Sequence, residues 1–198
     1  HLLTEEEKDL ALDCMGAMLR AGSGNESINQ VLQKIGVYYQ ADRVCILTFS
    51  ESDQVVNMLN EWTRPGKMGI QQALSGKRLR EFPLLLRFAQ NAKPMIFNGK
   101  SAKQSMQGKV GWQFGLFPME TEGATRQLLF MEGVRQNGER TALLDKLLPY
   151  LHGERKRFLP SYAPAAAAEK YAAIPNLGEY MDIVYSLDSD LYSSLGAL

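Results

Sequence analysis

The chain of 198 residues contains 45% hydrophobic and 22% charged residues, a composition typical of globular proteins that excludes intrinsic disorder and collagen-like sequence. Its 22 basic residues balance its 22 acidic residues, so no overall charge favours nucleic acid or an anionic membrane surface. We therefore expect a folded domain with no nucleic-acid partner.

No run of residues approaches the roughly 18 consecutive apolar positions that a membrane span needs, and the N-terminal residues are acidic, unlike a signal peptide. The two cysteines, Cys14 and Cys45, stand in apolar contexts, as buried thiols do more often than disulfide or metal pairs. These features predict a reduced, cytoplasmic segment that does not contact a membrane. Because His1 opens the chain without an initiator methionine, we expect a piece of a longer protein.

Two capping boxes, each followed by an apolar repeat, predict two helices in the first 40 residues. Thr4 and Glu7 form a capping box before an apolar repeat of helical spacing, which predicts a helix over about residues 4–21. Ser23 and Glu26 repeat that signature, and an apolar stripe then predicts a second helix that ends near Gln40.

A β-hairpin is predicted next, because residues 43–49 and 54–62 are rich in β-branched and aromatic side chains. Strict alternation in the second strand predicts one face formed by Val56, Met58, Asn60 and Trp62. Both faces of this strand carry apolar residues, so we expect both to be covered.

The rest of the chain predicts an irregular segment, three strands and a helix. The segment 64–92 is rich in glycine and proline, with one short helix near 83–91. An edge strand is predicted at 94–98, and further strands at 112–119 and 126–134. A last helix runs from Asn137 and is predicted to bend near Pro149. This order predicts an α+β fold with a mostly antiparallel sheet.

These segments resemble a GAF domain over about residues 20–158. The passage Ile35-Gly36-Val37-Tyr38-Tyr39-Gln40-Ala41-Asp42-Arg43 resembles the family's passage from a helix into the first strand. The stretch Asn60-Glu61-Trp62 is similar to one in GAF domains beside cyclic-di-GMP enzymes. The two predicted strands at 112–119 and 126–134 and the helix that follows them also have the order in which GAF domains end. The resemblance implies a GAF sensory domain at residues 1–159, which in the family dimerises through its first and last helices.

A second resemblance follows the GAF-like region. Residues 160–170 are a linker by composition, and Ala173-Ile174-Pro175-Asn176 is similar to the opening of GGDEF domains. Alanine stands where that motif has threonine and glycine, so 171–198 resembles the truncated start of a degenerate GGDEF-like domain. Asn176 is nucleotide-binding by this resemblance alone. The catalytic elements of a cyclase would lie outside the chain, so we expect no enzyme activity.

The resemblance places a ligand cavity near strand ends and the irregular segment. The candidate ligand-binding residues are Trp62, Arg64, Phe97, Trp112 and Phe114. An aromatic residue on a strand is usually plain core, and an arginine in such a loop is usually surface. Since no sequence motif for a nucleophile, a cofactor or a zinc site occurs, we expect no catalytic residue, no metal and no cofactor.

Two functions fit these patterns. The first is a regulatory module that binds an unknown small ligand, or forms a homodimer, and so controls a C-terminal GGDEF-like output domain. The second is a structural dimerisation module whose cavity is filled by its own side chains. A cavity of roughly 300 Å³ or more lined by Trp62 or Phe114 would favour the first function.

Overall fold

The computed structural model describes residues 2–20, 24–50, 54–91, 93–99, 112–122 and 125–157. The strands in these ranges are β1 (Arg43–Ser50), β2 (Val55–Thr63), β3 (Lys77–Arg78), β4 (Met95–Gly99), β5 (Trp112–Glu122) and β6 (Thr125–Val134). The helices are α1 (Glu5–Leu19), α2 (Gly24–Tyr39), α3 (Gln71–Leu74), α4 (Pro83–Asn91) and α5 (Ala142–Arg157).

The strands form one antiparallel sheet in the order β3-β2-β1-β6-β5-β4, so β4 lies at an edge as predicted. Helices cover both of its faces, and the predicted α+β architecture is confirmed. The linker at 160–170 and the GGDEF-like piece at 171–198 lie outside the described residues. None of the helices in the described part of the chain has the length and hydropathy that crossing a membrane requires.

The start of α1 follows the predicted capping box. The Thr4 hydroxyl accepts a hydrogen bond from the Glu7 amide at 3.1 Å, and the Glu7 carboxylate accepts one from the Thr4 amide at 2.9 Å. Two backbone donors at the helix start are thereby satisfied. α1 packs on α2 and α5, with Cys14, Ala17 and Met18 on its buried side.

β2 contains a bulge at Leu59 that exchanges its two faces. Ile46 of β1 pairs with Asn60, whereas the next residue, Leu47, pairs with Met58, so Leu59 has no partner on β1. One extra residue moves every later side chain to the opposite face. The predicted common face of Val56, Met58, Asn60 and Trp62 is therefore wrong: Val56 and Met58 lie on one face, and Asn60 and Trp62 lie on the other.

The sheet separates two hydrophobic clusters. Residues such as Val44, Ile46 and Leu129 pack against α1, α2 and α5, on what we call the helical face. The other face packs against α3, α4 and the segment before them, and we call it the aromatic face because five buried phenylalanines meet there: Phe49, Phe82, Phe88, Phe114 and Phe130. Both faces are covered, as predicted.

α5 begins later than the sequence predicted. Asn137 takes a positive φ of 59° in a turn, and its side-chain amide donates to the Tyr38 carbonyl at 3.1 Å, so the helix starts only at Ala142. Pro149 stands inside the helix, which continues to Arg157. The bend expected at Pro149 stays a prediction.

Candidate functional site

Trp62 lies on the helical face, although the resemblance placed it at a ligand cavity. Its indole ring packs against the backbone of Gly36 in α2, where a side chain larger than hydrogen would overlap the ring. Phe114 lies on the aromatic face instead. The sheet separates these two candidates, so they do not line one pocket.

The surroundings of Phe114 are closely packed. Its ring lies 5.9 Å from that of Phe130, centroid to centroid, and both side chains are buried. A cavity that reaches Phe114, but is lined mainly by Phe117, Met131 and Val134 of the helical face, has a volume of about 10 Å³. Since one water needs about 10–15 Å³ of such volume, this cavity is far below the size of a metabolite site.

Arg64 lies at the end of β2 and pairs with a buried carboxylate. Its guanidinium is 3.1 Å from Oδ1 of Asp42, and its amide donates to the Asp42 carbonyl at 2.8 Å. Arg135 donates to both oxygens of the same carboxylate, at 2.7 and 3.1 Å. Asp42 also lies against Gly133, whose φ of +72° and lack of a side chain leave room for it. Arg64 thus has an acceptor within the chain.

Phe97 and Trp112 lie at adjacent strands near the edge of the sheet. Phe97 of β4 is the register partner of Phe114 on β5, and Trp112 pairs with Gly99. Asn176 lies outside the described residues. Among the five candidate pocket residues, only Phe97 and Phe114 are brought opposite each other by the strand register.

A buried charge cluster on the aromatic side of the sheet was not found by sequence reasoning. Arg43 donates to Glu61 at 2.9 Å and also to Glu132, and all three side chains are less than a tenth exposed. Its remaining nitrogen donates to the Met68 carbonyl at 2.6 Å. The sequence did contain a signal for this cluster: each of three apolar strands carries one charged residue at a position that faces the core. Burying an unpaired charge there would destabilise the fold, so charges at such positions are expected to pair with one another.

Glu61 connects this cluster to the start of α3. Its carboxylate accepts hydrogen bonds from the amides of Ile70, at 2.9 Å, and Gln71, at 3.2 Å. Burial raises the pKa of the neighbouring Glu132 carboxyl, although Arg43 opposes that change. The cluster therefore holds the segment from Met68 to Gln71 against the sheet. Its charged groups bind one another and this segment.

A second buried carboxylate, Glu7, joins α1 to the turn before α5. It accepts hydrogen bonds from Arg140 and from Thr4, and its side chain is fully buried. Burial by itself raises the pKa of Glu7, but the hydrogen bonds from Arg140 and Thr4 outweigh it and lower that pKa to about 2. Among the described residues, no group of three histidine, cysteine or acidic side chains has the arrangement of a metal site.

No protein-family model matches this sequence, and no curated protein matches it. Solved structures do share its fold. The GAF domain of a phosphoenolpyruvate-protein phosphotransferase from Acinetobacter superposes with a TM-score of 0.53, at 13% identity, over 86% of this chain and 98% of that one. The corresponding GAF domain from Coxiella burnetii gives a TM-score of 0.53, at 13% identity, over 85% and 97% of the two chains. The chain has the GAF fold.

A third structure with the GAF fold carries a chromophore. The phycocyanobilin-bound GAF domain from a cyanobacterial phytochrome superposes with a TM-score of 0.53, at 12% identity, over 80% of this chain and 100% of that one. Identities of this size establish the fold alone. The predicted GAF fold is confirmed, whereas the link to GGDEF domains stays a prediction.

Proposed function

We propose that this GAF domain is a regulatory module that acts by pairing with a second copy of itself through α1 and α5. The observation that supports this function is an apolar stripe on the outer side of α1. Leu12 is 70% exposed and Leu19 is 85% exposed, and these two residues stand seven positions apart on the same side of the helix.

The stripe is separate from the core-facing side of α1. Met15 and Gly16 lie between the two leucines at helical spacing and are partly exposed, whereas Cys14, Ala17 and Met18 are buried. α5, which packs against α1, also presents Tyr150, which is 57% exposed. Exposed leucines at coiled-coil spacing on one helix are typical of a helix that packs against another chain.

A second copy of this chain is the partner that the charges favour. The 22 basic and 22 acidic residues cancel, so two copies approach without net repulsion. Along α1, Asp13 and Arg20 lie on one flank of the stripe, and an antiparallel pair would bring Arg20 of one copy near Asp13 of the other.

The interior favours pairing over the sensing of a small ligand. Five phenylalanines are buried together on the aromatic face, and the small cavity that Phe117, Met131 and Val134 line on the helical face holds about 10 Å³. Trp62 packs against Gly36, and Arg64 forms an ion pair with Asp42. Two of the candidate ligand-binding residues therefore already have partners within the domain.

Pairing would control an output domain through the end of α5, which leads toward the GGDEF-like region of residues 171–198. Under this proposal the parent belongs to cyclic-di-GMP signalling, the output domain takes different states in the paired and unpaired chains, and the GAF domain itself performs no catalysis. Such control requires that the two output states differ in how strongly the copies pair.

Sedimentation equilibrium of the whole chain tests the proposal. Wild type is expected to approach twice the chain mass of 22.2 kDa as its concentration rises, and the double variant Leu12→Glu/Leu19→Glu is expected to remain monomeric. Met68→Glu is the control, because Met68 is also an exposed apolar residue but lies after β2, away from α1. A monomeric wild type, or a double variant that pairs as wild type does, contradicts the proposal.

A further inference from the structure

Arg155 is a fully buried arginine near the end of α5. Its side chain has 0% exposure, and its Nη1 donates a hydrogen bond to Oδ1 of Asn25 at 2.7 Å. Asn25 is the second residue of α2, a helix of 16 residues that runs antiparallel to α5. The guanidinium is therefore held beside the N-terminal end of α2.

In the described part of the chain, the other two nitrogens of this guanidinium lack a hydrogen-bond partner. Nε and Nη2 of Arg155 are buried and make no hydrogen bond with any described residue. These two nitrogens form one edge of the planar group, and their N–H bonds point in parallel. This edge is the one that carboxylate and phosphate groups bind with two parallel hydrogen bonds.

Glu154, the residue before Arg155, does not supply this partner. The Glu154 carboxylate accepts from the Ser27 hydroxyl at 3.5 Å, and no hydrogen bond joins it to Arg155. Burial lowers the pKa of Arg155, and no neighbouring carboxylate opposes that change. A buried cation without a counter-charge destabilises a protein, so this arrangement is costly unless an anion binds.

We propose that the junction between the start of α2 and the end of α5 binds an oxyanion of the phosphate type through the Nε and Nη2 edge of Arg155. The hydrogen bond from Nη1 to Asn25 holds the guanidinium beside the N-terminal end of α2, where the positive end of the helix dipole favours a nearby anion. Asn25, the partner of Nη1, is itself exposed. This site lies on the helical side of the sheet and is independent of the pairing through α1.

Thermal unfolding of the whole chain, with inorganic phosphate as the probe, tests this site. Wild type, Arg155→Met and Arg80→Met are compared in about 50 mM phosphate and in sodium chloride of equal ionic strength. Arg80 is the matched control because it is an exposed arginine on the opposite side of the sheet. Phosphate also stabilises proteins in general, and Arg155→Met measures that general effect.

Phosphate is expected to raise the melting temperature of wild type and of Arg80→Met by about 4 °C more than that of Arg155→Met. In chloride alone, Arg155→Met is expected to melt at or above the wild-type temperature, because the substitution removes an uncompensated buried charge. An equal phosphate effect in all three proteins overturns the proposal. So does an Arg155→Met protein that melts well below wild type in chloride, since the buried charge of Arg155 would then be compensated within the chain.

Discussion

The indole ring of Trp62 lies against the backbone of Gly36, so that the sheet and α2 approach each other more closely than any side chain at position 36 would allow. Glycine inside a helix costs about 1 kcal/mol relative to alanine. The close contact with Trp62 gives a physical reason for glycine at this point of the Ile35-Gly36-Val37 passage.

Replacing Gly36 with alanine is expected to destabilise the domain by about 1–3 kcal/mol, because the new methyl group displaces the Trp62 ring and this outweighs the gain in helix propensity. Urea unfolding measures the change. Gly153→Ala in α5 is the control: apart from its own helix backbone and chain neighbours, nothing lies within 4 Å of the added methyl group, and it is expected to stabilise the protein by up to about 1 kcal/mol.

A double-mutant cycle separates the Trp62 contact from other effects at position 36. In a Trp62→Leu background, the cost of Gly36→Ala is expected to shrink or disappear, because the smaller side chain leaves space for the methyl group. An unchanged cost in that background would mean that Trp62 is not the reason for glycine at this position.

The Glu7 carboxylate predicts a stability loss in acid. Its pKa of about 2 in the folded protein lies below the ordinary value of 4.5, so its stabilising contribution is complete above about pH 4.5 and is lost as the pH falls toward 2. Glu7→Gln is expected to cost about 1–3 kcal/mol at pH 7, and the difference from wild type is expected to vanish near pH 2. Urea unfolding across this range measures it.

Glu6→Gln is the matched control for Glu7, because Glu6 lies in the same helical turn but is exposed. It is expected to change the free energy of unfolding by less than about 0.5 kcal/mol at any pH in the range. A gap between wild type and Glu7→Gln that stays constant down to pH 2 would show that the ionised carboxylate is not what stabilises the fold.

Glu61 is expected to hold the segment before α3 in place. Glu61→Gln replaces one acceptor oxygen with an amide donor beside the Ile70 and Gln71 amides and leaves Arg43 with one fewer carboxylate, at a cost of about 2–4 kcal/mol. Hydrogen exchange is expected to become faster at the amides of Ile70 and Gln71 than elsewhere in the sheet.

Glu81→Gln provides the comparison for Glu61. Glu81 accepts a hydrogen bond from the Arg78 amide at 3.0 Å in an exposed setting, so its substitution is expected to cost less than about 1 kcal/mol and to leave exchange at Ile70 unchanged. Uniformly faster exchange across the whole sheet in Glu61→Gln would instead indicate a global loss of stability.

Local signals in the sequence were sufficient for most helices and strands. The capping box at Thr4 and Glu7 and the β-branched run of β1 depend on residues a few positions apart, so the pattern alone identified them. The bulge at Leu59 could not be read in this way, because a bulge is defined by the register of the neighbouring strand. The predicted face of Trp62 was wrong for that reason.

The site depended on contacts between distant parts of the chain. Arg43 pairs with residues 18 and 89 positions away, and each of the three charged residues looks ordinary in its own segment. The same holds for the aromatic face. Each phenylalanine looks like an ordinary core residue in its own segment, and only the folded chain brings the five rings together. Sequence patterns identified the core residues but not how they divide between the two faces of the sheet.

The most direct test of pairing through α1 is a distance measurement from position 19. A nitroxide attached to Leu19→Cys is expected to label selectively, because Cys14 and Cys45 are buried and burial raises the pKa of both thiols. Helices in contact lie about 8–10 Å apart, so a parallel or an antiparallel α1 pair should place the two labels within about 30 Å. Dipolar coupling at such distances supports the account. Labels more than about 40 Å apart, or no coupling at a concentration where sedimentation shows that the labelled protein itself pairs, would contradict pairing through α1.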